Sequence, residues 1–411
     1  MDRRDFLRLL FTGTAAMGTV LGRVGPFSVQ ALAGAVPGRV LVVIFQRGGC
    51  DGLNLCVPFG DDGYYSARPA LAIPPPGGSE GALAVDNFFG FHPQMPGLYQ
   101  LYQEGAVAVF PAVHYPDASR SHFDSEIIIE SGSDHKLYSG WLNRYLSRDE
   151  GAAGALRAAG FGDSLAHSLH GEASAAVFSD MSSSSLGRGR EDFREELRRN
   201  LRNIFAEPVG QPRKNLELLH KQGSIMLDNL SLMESVRTGH YVPDNSAEYP
   251  DGGFGRQLMN AAQLIKSGIG LEVVCIDTGG WDTHSDQASR QARRLREFSE
   301  GLAAFYKDLG SFRQDVLILA MTEFGRTVRE NASHGTDHGN ASAWLAIGGR
   351  VKGGVFGQWP GLGTDRLYLG RYLDFSIDYR NIFAEALKLH LSCPDLSGIL
   401  PDFQPEPLGY L

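Results

Sequence analysis

Val316-Leu317-Ile318-Leu319-Ala320-Met321 is an unbroken apolar run that stops abruptly at Thr322-Glu323-Phe324-Gly325-Arg326, with Gly335-Thr336-Asp337-His338-Gly339 a short way downstream. Six consecutive apolar residues with no alternation read as a strand buried on both faces. Such a strand belongs in a parallel sheet, and in open α/β sheets polar ligands gather where parallel strands end. A carboxylate at the strand exit, followed by an Asp-His pair between glycines, is the polar equipment such an edge uses. Carboxylate and imidazole together suit a divalent metal.

Working outward, the pattern repeats. Val40-Leu41-Val42-Val43-Ile44-Phe45-Gln46 is a second continuous run, ending in Arg47-Gly48-Gly49-Cys50-Asp51-Gly52. His92 to Gly105 reads as a helix with Met95, Leu98, Leu101 and Tyr102 on one face, and Ala106 to Phe110 as the next strand. His114-Tyr115-Pro116 and Ser119-Arg120-Ser121-His122-Phe123 follow it, then a helix from Asp124. Phe254 to Ser267 reads as a helix, Leu271 to Ile276 as a strand ending in Asp277-Thr278-Gly279-Gly280-Trp281-Asp282-Thr283-His284, and Gln287 to Leu309 as a helix. Trp344 to Ile347 is a short strand and Tyr379 to Leu391 a terminal helix. Buried strands alternating with amphipathic helices predict an α/β fold, with a mostly parallel sheet covered on both faces.

Between about 151 and 250 the pattern changes. Small residues, the serine run Ser182 to Ser185, the charged helix Arg190 to Arg202 and a long amphipathic helix from Arg213 to Val236 predict a helical insertion or cap on a single domain spanning 34–411. No internal repeat is evident.

The amino terminus reads as an export signal. Arg3-Arg4 precede the weakly apolar run Leu9 to Leu21, and Ala31-Leu32-Ala33 supplies a cleavage site of small residues. This pattern, over residues 1–33, predicts engagement with the twin-arginine translocase and a periplasmic or extracellular destination. That route carries folded proteins, which suits a chain that collects a metal beforehand. Removing the segment shifts the formal charge from −9 to about −11. Such acidity argues against nucleic acid or an anionic membrane surface as partner. No later segment has the length and hydropathy of a membrane span. Cys50, Cys56, Cys275 and Cys393 form no closely spaced metal-binding pair; a Cys50–Cys56 bridge is conceivable in an oxidising compartment, but buried thiols are the simpler reading.

Four strand exits thus carry polar residues, and parallel strands bring their carboxyl ends to one edge. Asp51, Asp282, His284, Glu323 and His338 make a carboxylate-rich set with two imidazoles, enough for one or two divalent ions (Zn, Ca, Mg or Mn). Two ions about 4 Å apart would clamp the oxygens of a displacement at phosphorus or sulfur. Ser121, near a helix start, is the candidate nucleophile, with Arg120 and helix amides stabilising an oxyanion. Each residue also has a structural reading: Asp51 as a turn residue, Asp282 as a helix cap, Glu323 as the ion-pair partner of Arg326 or Arg329, and Ser121 as a cap. His114, His122 and Asp337 read as weaker ligand candidates, and His92, His167, His170, His220 and His240 as ordinary core or surface residues.

These motifs carry a family likeness. The twin-arginine start, Phe45 to Asn54, Ser119 to Phe123, Gly280 to His284, Thr322 to Arg326 and Gly335 to Gly339 resemble the exported bacterial family called domain of unknown function 1501, across essentially the whole mature chain. That family is similar to the alkaline phosphatase and sulfatase superfamily. The resemblance implies a three-layer αβα sandwich with a mostly parallel central sheet and a helical insertion. It implies a metal-binding Asp after the first strand (Asp51) and a nucleophile at a helix start (Ser121, or Ser119). It further implies an Asp and a His after a later strand (Asp282, His284) and a final His before a strand (His338). The departure is at Thr322-Glu323-Phe324-Gly325, where the superfamily usually has Ser-Asp-His-Gly: Phe324 has no donor atom where a second-metal His is expected.

The leading functional expectation is a metal-dependent hydrolase or transferase acting on small phosphate or sulfate esters outside the cytoplasm. The alternative is a non-catalytic exported binding or assembly protein on a degenerate version of the fold. An oxidoreductase lacks support, because no Gly-x-Gly-x-x-Gly follows the first strand.

Overall fold

A computed structural model describes residues 38–148, 156–179, 191–205, 220, 223–224, 226–232, 236 and 241–411. The expected export segment, and much of the helix expected over Arg213 to Val236, lie outside them. Among the described residues the strands of one mixed sheet are β1 (Val40–Gln46), β2 (Val107–His114), β3 (Ala158–Phe161), β4 (Ala176–Phe178), β5 (Val273–Thr278), β6 (Val316–Met321), β7 (Ser342–Gly348), β8 (Gly354–Val355) and β9 (Ile377–Asp378). Their order is β8-β2-β7-β6-β1-β5-β3-β4, with β9 also pairing with β2. Every pairing is parallel except those of β7, which runs antiparallel between β2 and β6. The carboxyl ends of β1, β2, β5 and β6 therefore share one edge, and the start of β7 lies at that same edge.

The alternation along β1 builds the layers. Val40, Val42 and Ile44 face one core with α1 (Pro96–Gln103), α5 (Gly253–Lys266) and α6 (Gln287–Leu309), through Leu98, Leu258, Leu302 and Phe305. Leu41, Val43 and Phe45 face the other with α2 (His122–Ser131), α3 (Trp141–Leu146) and α7 (Tyr379–Glu385), through Ile129, Trp141 and Phe383. Successive side chains of a strand point to opposite faces, so one buried run serves both layers. The result is the three-layer α/β sandwich that the strand–helix alternation predicts. A further helix, α4 (Glu191–Phe205), packs Leu201 and Phe205 on Leu227 in a small satellite cluster.

Three differences from the sequence reading have physical causes. The 151–250 region is not helical throughout: β3 and β4 extend the central sheet, and Ala158-Ala159-Gly160-Phe161 carries too little β-branched character to announce a strand. Strand β2 runs on through Pro111 to His114, so His114 is a buried strand residue rather than part of the exit loop. The four cysteines are free, with Cys50, Cys56 and Cys275 buried. No helix among the described residues is long and apolar enough to cross a membrane.

Candidate metal centre

The exits of β1, β5 and β6 lie side by side, and glycine lets them touch. Gly48 and Gly49 take φ of +120° and +66°. A Cβ at Gly48 would stand 2.6 Å from the Asp282 amide nitrogen, and one at Gly49 would stand 2.5 Å from the Phe324 ring. After β5, the buried Trp281 packs edge-on against Phe298 and anchors the loop that presents Asp282 and His284. An isolated antiparallel bridge between Arg326 and His338 ties the β6 exit to the loop before β7. From the far side α2 begins at Ser121 and directs His122 inward.

Three imidazoles and one carboxylate converge here. The Nε2 of His338 lies 3.0 Å from that of His122 and 3.1 Å from that of His284. Asp282 Oδ1 is 3.0 Å from His284 Nε2 and 3.4 Å from His338 Nε2, and Asp282 Oδ2 is 3.7 Å from His122 Nε2. Each ring's other nitrogen faces an acceptor. His122 Nδ1 donates to Glu323 Oε1 at 2.6 Å, His284 Nδ1 to Asp337 Oδ1 at 3.2 Å, and His338 Nδ1 to the Arg120 carbonyl at 2.9 Å. Carboxylate and carbonyl oxygens only accept, so the neutral rings carry their protons on Nδ1 and their lone pairs on Nε2. Three lone pairs and a carboxylate oxygen then point at one another, which is tolerable only with a proton or a cation among them.

A carboxylate or carbonyl behind each imidazole is the arrangement that orients metal-ligating histidines. Two donors about 2.1 Å from a shared ion, roughly 90–110° apart, stand about 3.0–3.4 Å from each other, which matches the separations of His338 from His122 and His284 and of Asp282 Oδ1 from His284 and His338. The residues fit a divalent ion. His122, Asp282 and His338 form one group able to hold it, and His122, Glu126 and Glu323 a second.

The electrostatics agree with an oriented site. Burial alone would raise the Asp282 carboxyl, but the adjacent Arg326 guanidinium, whose Nη2 donates to Oδ1 at 2.8 Å, outweighs it and holds the group low. Burial depresses His338. The hydrogen bond to Glu323 raises His122. Arg326 is fully buried, and its Nε and Nη1 have no hydrogen-bond partner among the described residues. Phe324 packs against both His122 and His338, with ring centroids 4.8 and 4.9 Å away.

On the α2 side lies a carboxylate-rich patch centred on Arg47. Its guanidinium meets Glu130 at 2.8 Å, Glu126 at 3.4 Å and Asp277 at 3.0 Å. Burial pushes Glu126 up to about 7 and Asp277 up to about 6, with neighbouring carboxylates adding to both and Arg47 opposing.

Of the residues singled out in the sequence, Asp282, His284, Glu323 and His338 come together. Asp51 does not join them: Arg68 Nη1 and Nη2 hold its two oxygens, Nη2 reaching Oδ1 at 2.9 Å, and Gln287 donates to Oδ2 as well. Glu323 is not paired with Arg326, which instead serves Asp282. Ser121 precedes α2, yet its hydroxyl makes no capping bond and no other hydrogen bond among the described residues. Ser119 is the serine engaged locally, its Oγ accepting from the Ser121 amide at 3.1 Å. The Arg120 guanidinium lies over the Tyr372 ring, 4.8 Å from its centroid, and makes no hydrogen bond or ion pair among the described residues.

His122, only a weaker ligand candidate in the sequence, is central here, and Glu126 beside it is not a candidate in the sequence at all. Their four-residue spacing puts both on one face of α2, a signal that was available once the helix was placed.

The profile of the family described as "Protein of unknown function (DUF1501)" matches residues 39–393, and the chain belongs to that family. No protein of curated function matches it. Solved structures with a similar trace include Ps i-CgsB in complex with k-i-k-neocarrahexaose (10% identity, 89% of this chain and 74% of that one, TM-score 0.37). The C-terminal periplasmic domain of EcEptC from Escherichia coli aligns at 10% identity over 94% and 92% of the two chains, with a TM-score of 0.38. The phosphonate monoester hydrolase of Agrobacterium radiobacter aligns at 12% identity over 91% and 79%, with a TM-score of 0.25. Likeness at this level carries no functional inference.

Proposed function

We propose that this protein is a metal-dependent hydrolase or transferase of small phosphate or sulfate esters that works outside the cytoplasm after twin-arginine export. The observation that carries the reading is the convergence of His122, His284 and His338 Nε2 with Asp282, each imidazole oriented from behind by an acceptor. These four are the proposed ligands. Three imidazoles with one carboxylate favour a transition ion such as zinc or manganese over calcium or magnesium, which prefer all-oxygen sites. A bound divalent ion supplies Lewis-acid polarisation of an anionic ester oxygen.

The rest is done by the chain. Arg120 offers a guanidinium not engaged by acceptors among the described residues, held in place by Tyr372, to the equatorial oxygens of a phosphoryl or sulfuryl group. The first amides of α2 add the positive end of a helix at the same place. Ser121 stands between Arg120 and His122, and its uncommitted hydroxyl is the proposed attacking group. Glu323, Asp337 and the Arg120 carbonyl hold the imidazoles in their ligating tautomer. Asp51 takes no part as a ligand in this reading; with Arg68 it supports the loop from below.

The test is metal analysis of the full chain, followed by assay against a panel of aryl phosphate and aryl sulfate esters. Turnover is expected from the metal-loaded protein, with Ser121→Ala and His338→Ala each losing most of it. Turnover that is unchanged in both variants would overturn the mechanism. A non-catalytic binding protein is the second reading, favoured by Phe324, which puts carbon where a further donor would stand. Stoichiometric metal with no turnover on any ester would support it.

A further inference from the structure

We infer that the centre is built for one cation, and that Glu323 is a positioning residue for His122 rather than a ligand to a second ion. This rests on the metal reading just given and specifies it. The second group able to hold an ion, His122 with Glu126 and Glu323, has each of its members already engaged. His122 has one proton to place when neutral. Its 2.6 Å bond to Glu323 puts that proton on Nδ1, and the nitrogen cannot donate it and ligate at once. Glu323 Oε1 accepts from the Gly48 amide at 2.8 Å as well as from His122, and Oε2 lies 2.9 Å from the Thr322 hydroxyl. Its side chain is completely buried.

Glu126 completes the argument. Its carboxylate faces Arg47, which also contacts Glu130 and Asp277. A fixed guanidinium is therefore the resident cation among the carboxylates on that side. Phe324 closes the remaining approach, because its ring covers the faces of His122 and His338 at 4.8 and 4.9 Å and offers no lone pair. The outcome is one nitrogen-rich position beside a protein-supplied positive charge. Asp337 then does for His284 what Glu323 does for His122, and Arg371, 3.2 Å from Asp337 Oδ2, steadies it.

The experiment reads metal, not activity. The full chain is stripped with a chelator, reloaded with excess Zn²⁺ or, in a parallel arm, Mn²⁺, and desalted, and metal per chain is measured with the dissociation constant. Wild type is expected to hold one ion, and Glu126→Gln, which lies at the partly exposed rim, also one. Glu323→Gln is expected to hold one ion bound about 10–100-fold more weakly, the loss typical of removing an orienting carboxylate. Asp337→Asn, at a half-exposed position, is expected to weaken binding in the same sense, so the inference stays testable if Glu323→Gln fails to fold. Two ions in wild type falling to one in Glu126→Gln would overturn the inference and leave the ester-hydrolase reading standing. No ion in folded wild type would sink both.

Discussion

The exits of β1 and β5 are written alike and built differently. Each is a glycine-rich turn carrying an aspartate at the same sheet edge, and in the sequence Asp51 and Asp282 look equivalent. In the structure the Asp51 side chain is 0% exposed and gripped by Arg68, whereas that of Asp282 is 43% exposed and faces imidazoles. The arginines differ in the same sense. Arg68 spends its donors on Asp51, Asn54, Val328 and Thr327, while Arg326 makes one bond, to Asp282, and leaves Nε and Nη1 unpartnered. A saturated carboxylate is part of the frame; an unsaturated one, half open to water, is available to a ligand. The frame should therefore answer to perturbations of stability, and the centre to perturbations of metal.

Acid should produce the largest effect, and it should strike the frame. Burial lowers His114 to about 3 and His92 and His390 to about 4, against an ordinary value of 6.5. Because these folded values lie below the unfolded one, their contribution is intact above pH 6.5. It is lost as pH falls towards 4, where the unfolded chain binds protons that the folded one refuses. Each histidine accounts for up to about 1.4 kcal/mol per pH unit in that window. Between pH 7.5 and pH 5 the three histidines together should cost up to about 6 kcal/mol of unfolding free energy measured with denaturant, offset in part by Glu126 and Asp277, whose raised values favour the folded state on acidification. His114→Gln should flatten the dependence. A pH dependence in His114→Gln identical to that of wild type would break the assignment of this histidine to the frame.

Asp51→Ala comes next. It strands the buried Arg68 guanidinium, and removing one partner of such a pair costs about 3–5 kcal/mol. His284→Ala, at a half-exposed position, should cost within about 0.5 kcal/mol. The metal readout should invert the order, with His284→Ala losing metal and the folded fraction of Asp51→Ala retaining it. Equal loss of metal in both would return Asp51 to the ligand set and erase the distinction between the two exits.

That distinction marks what the sequence could show. Strand β6 and helix α6 are legible to the residue, because an unbroken apolar run and a long amphipathic period each admit one geometry. The meeting of Asp282, His284, Glu323 and His338 is legible too, since parallel strands deliver their ends to one edge. What is not legible depends on long-range partners. Arg68 lies seventeen residues beyond Asp51, just after the short helix Asp62–Ala67, and Gln287 reaches Asp51 from α6, so nothing near Asp51 announces that its oxygens are taken. The direction of β7 is set by its neighbours rather than by its own apolar run. His122 reads only as a weaker ligand candidate in the sequence, although its helical spacing to Glu126 marks that face of α2.

Arg326→Met sharpens the comparison with the smallest expected effect. A buried ion pair contributes little net stability when its desolvation is poorly repaid, and an apolar side chain of similar volume is often neutral or better. Arg326 is the poorly repaid case: one bond to a half-exposed aspartate that water can solvate in its absence, and two buried nitrogens, Nε and Nη1, with no acceptor among the described residues. Arg326→Met in the metal-free protein should therefore leave unfolding free energy unchanged or raise it by about 1 kcal/mol. Arg68→Met, which leaves Asp51 charged and sealed from water, should cost several times that in the opposite direction. The contrast follows from acceptor count and from the exposure of the two aspartates, since both guanidiniums are fully buried. A loss of 3 kcal/mol or more in Arg326→Met would mean that Nε and Nη1 have acceptors in solution. An internal water or anion beneath Asp282 would then belong to the centre's architecture.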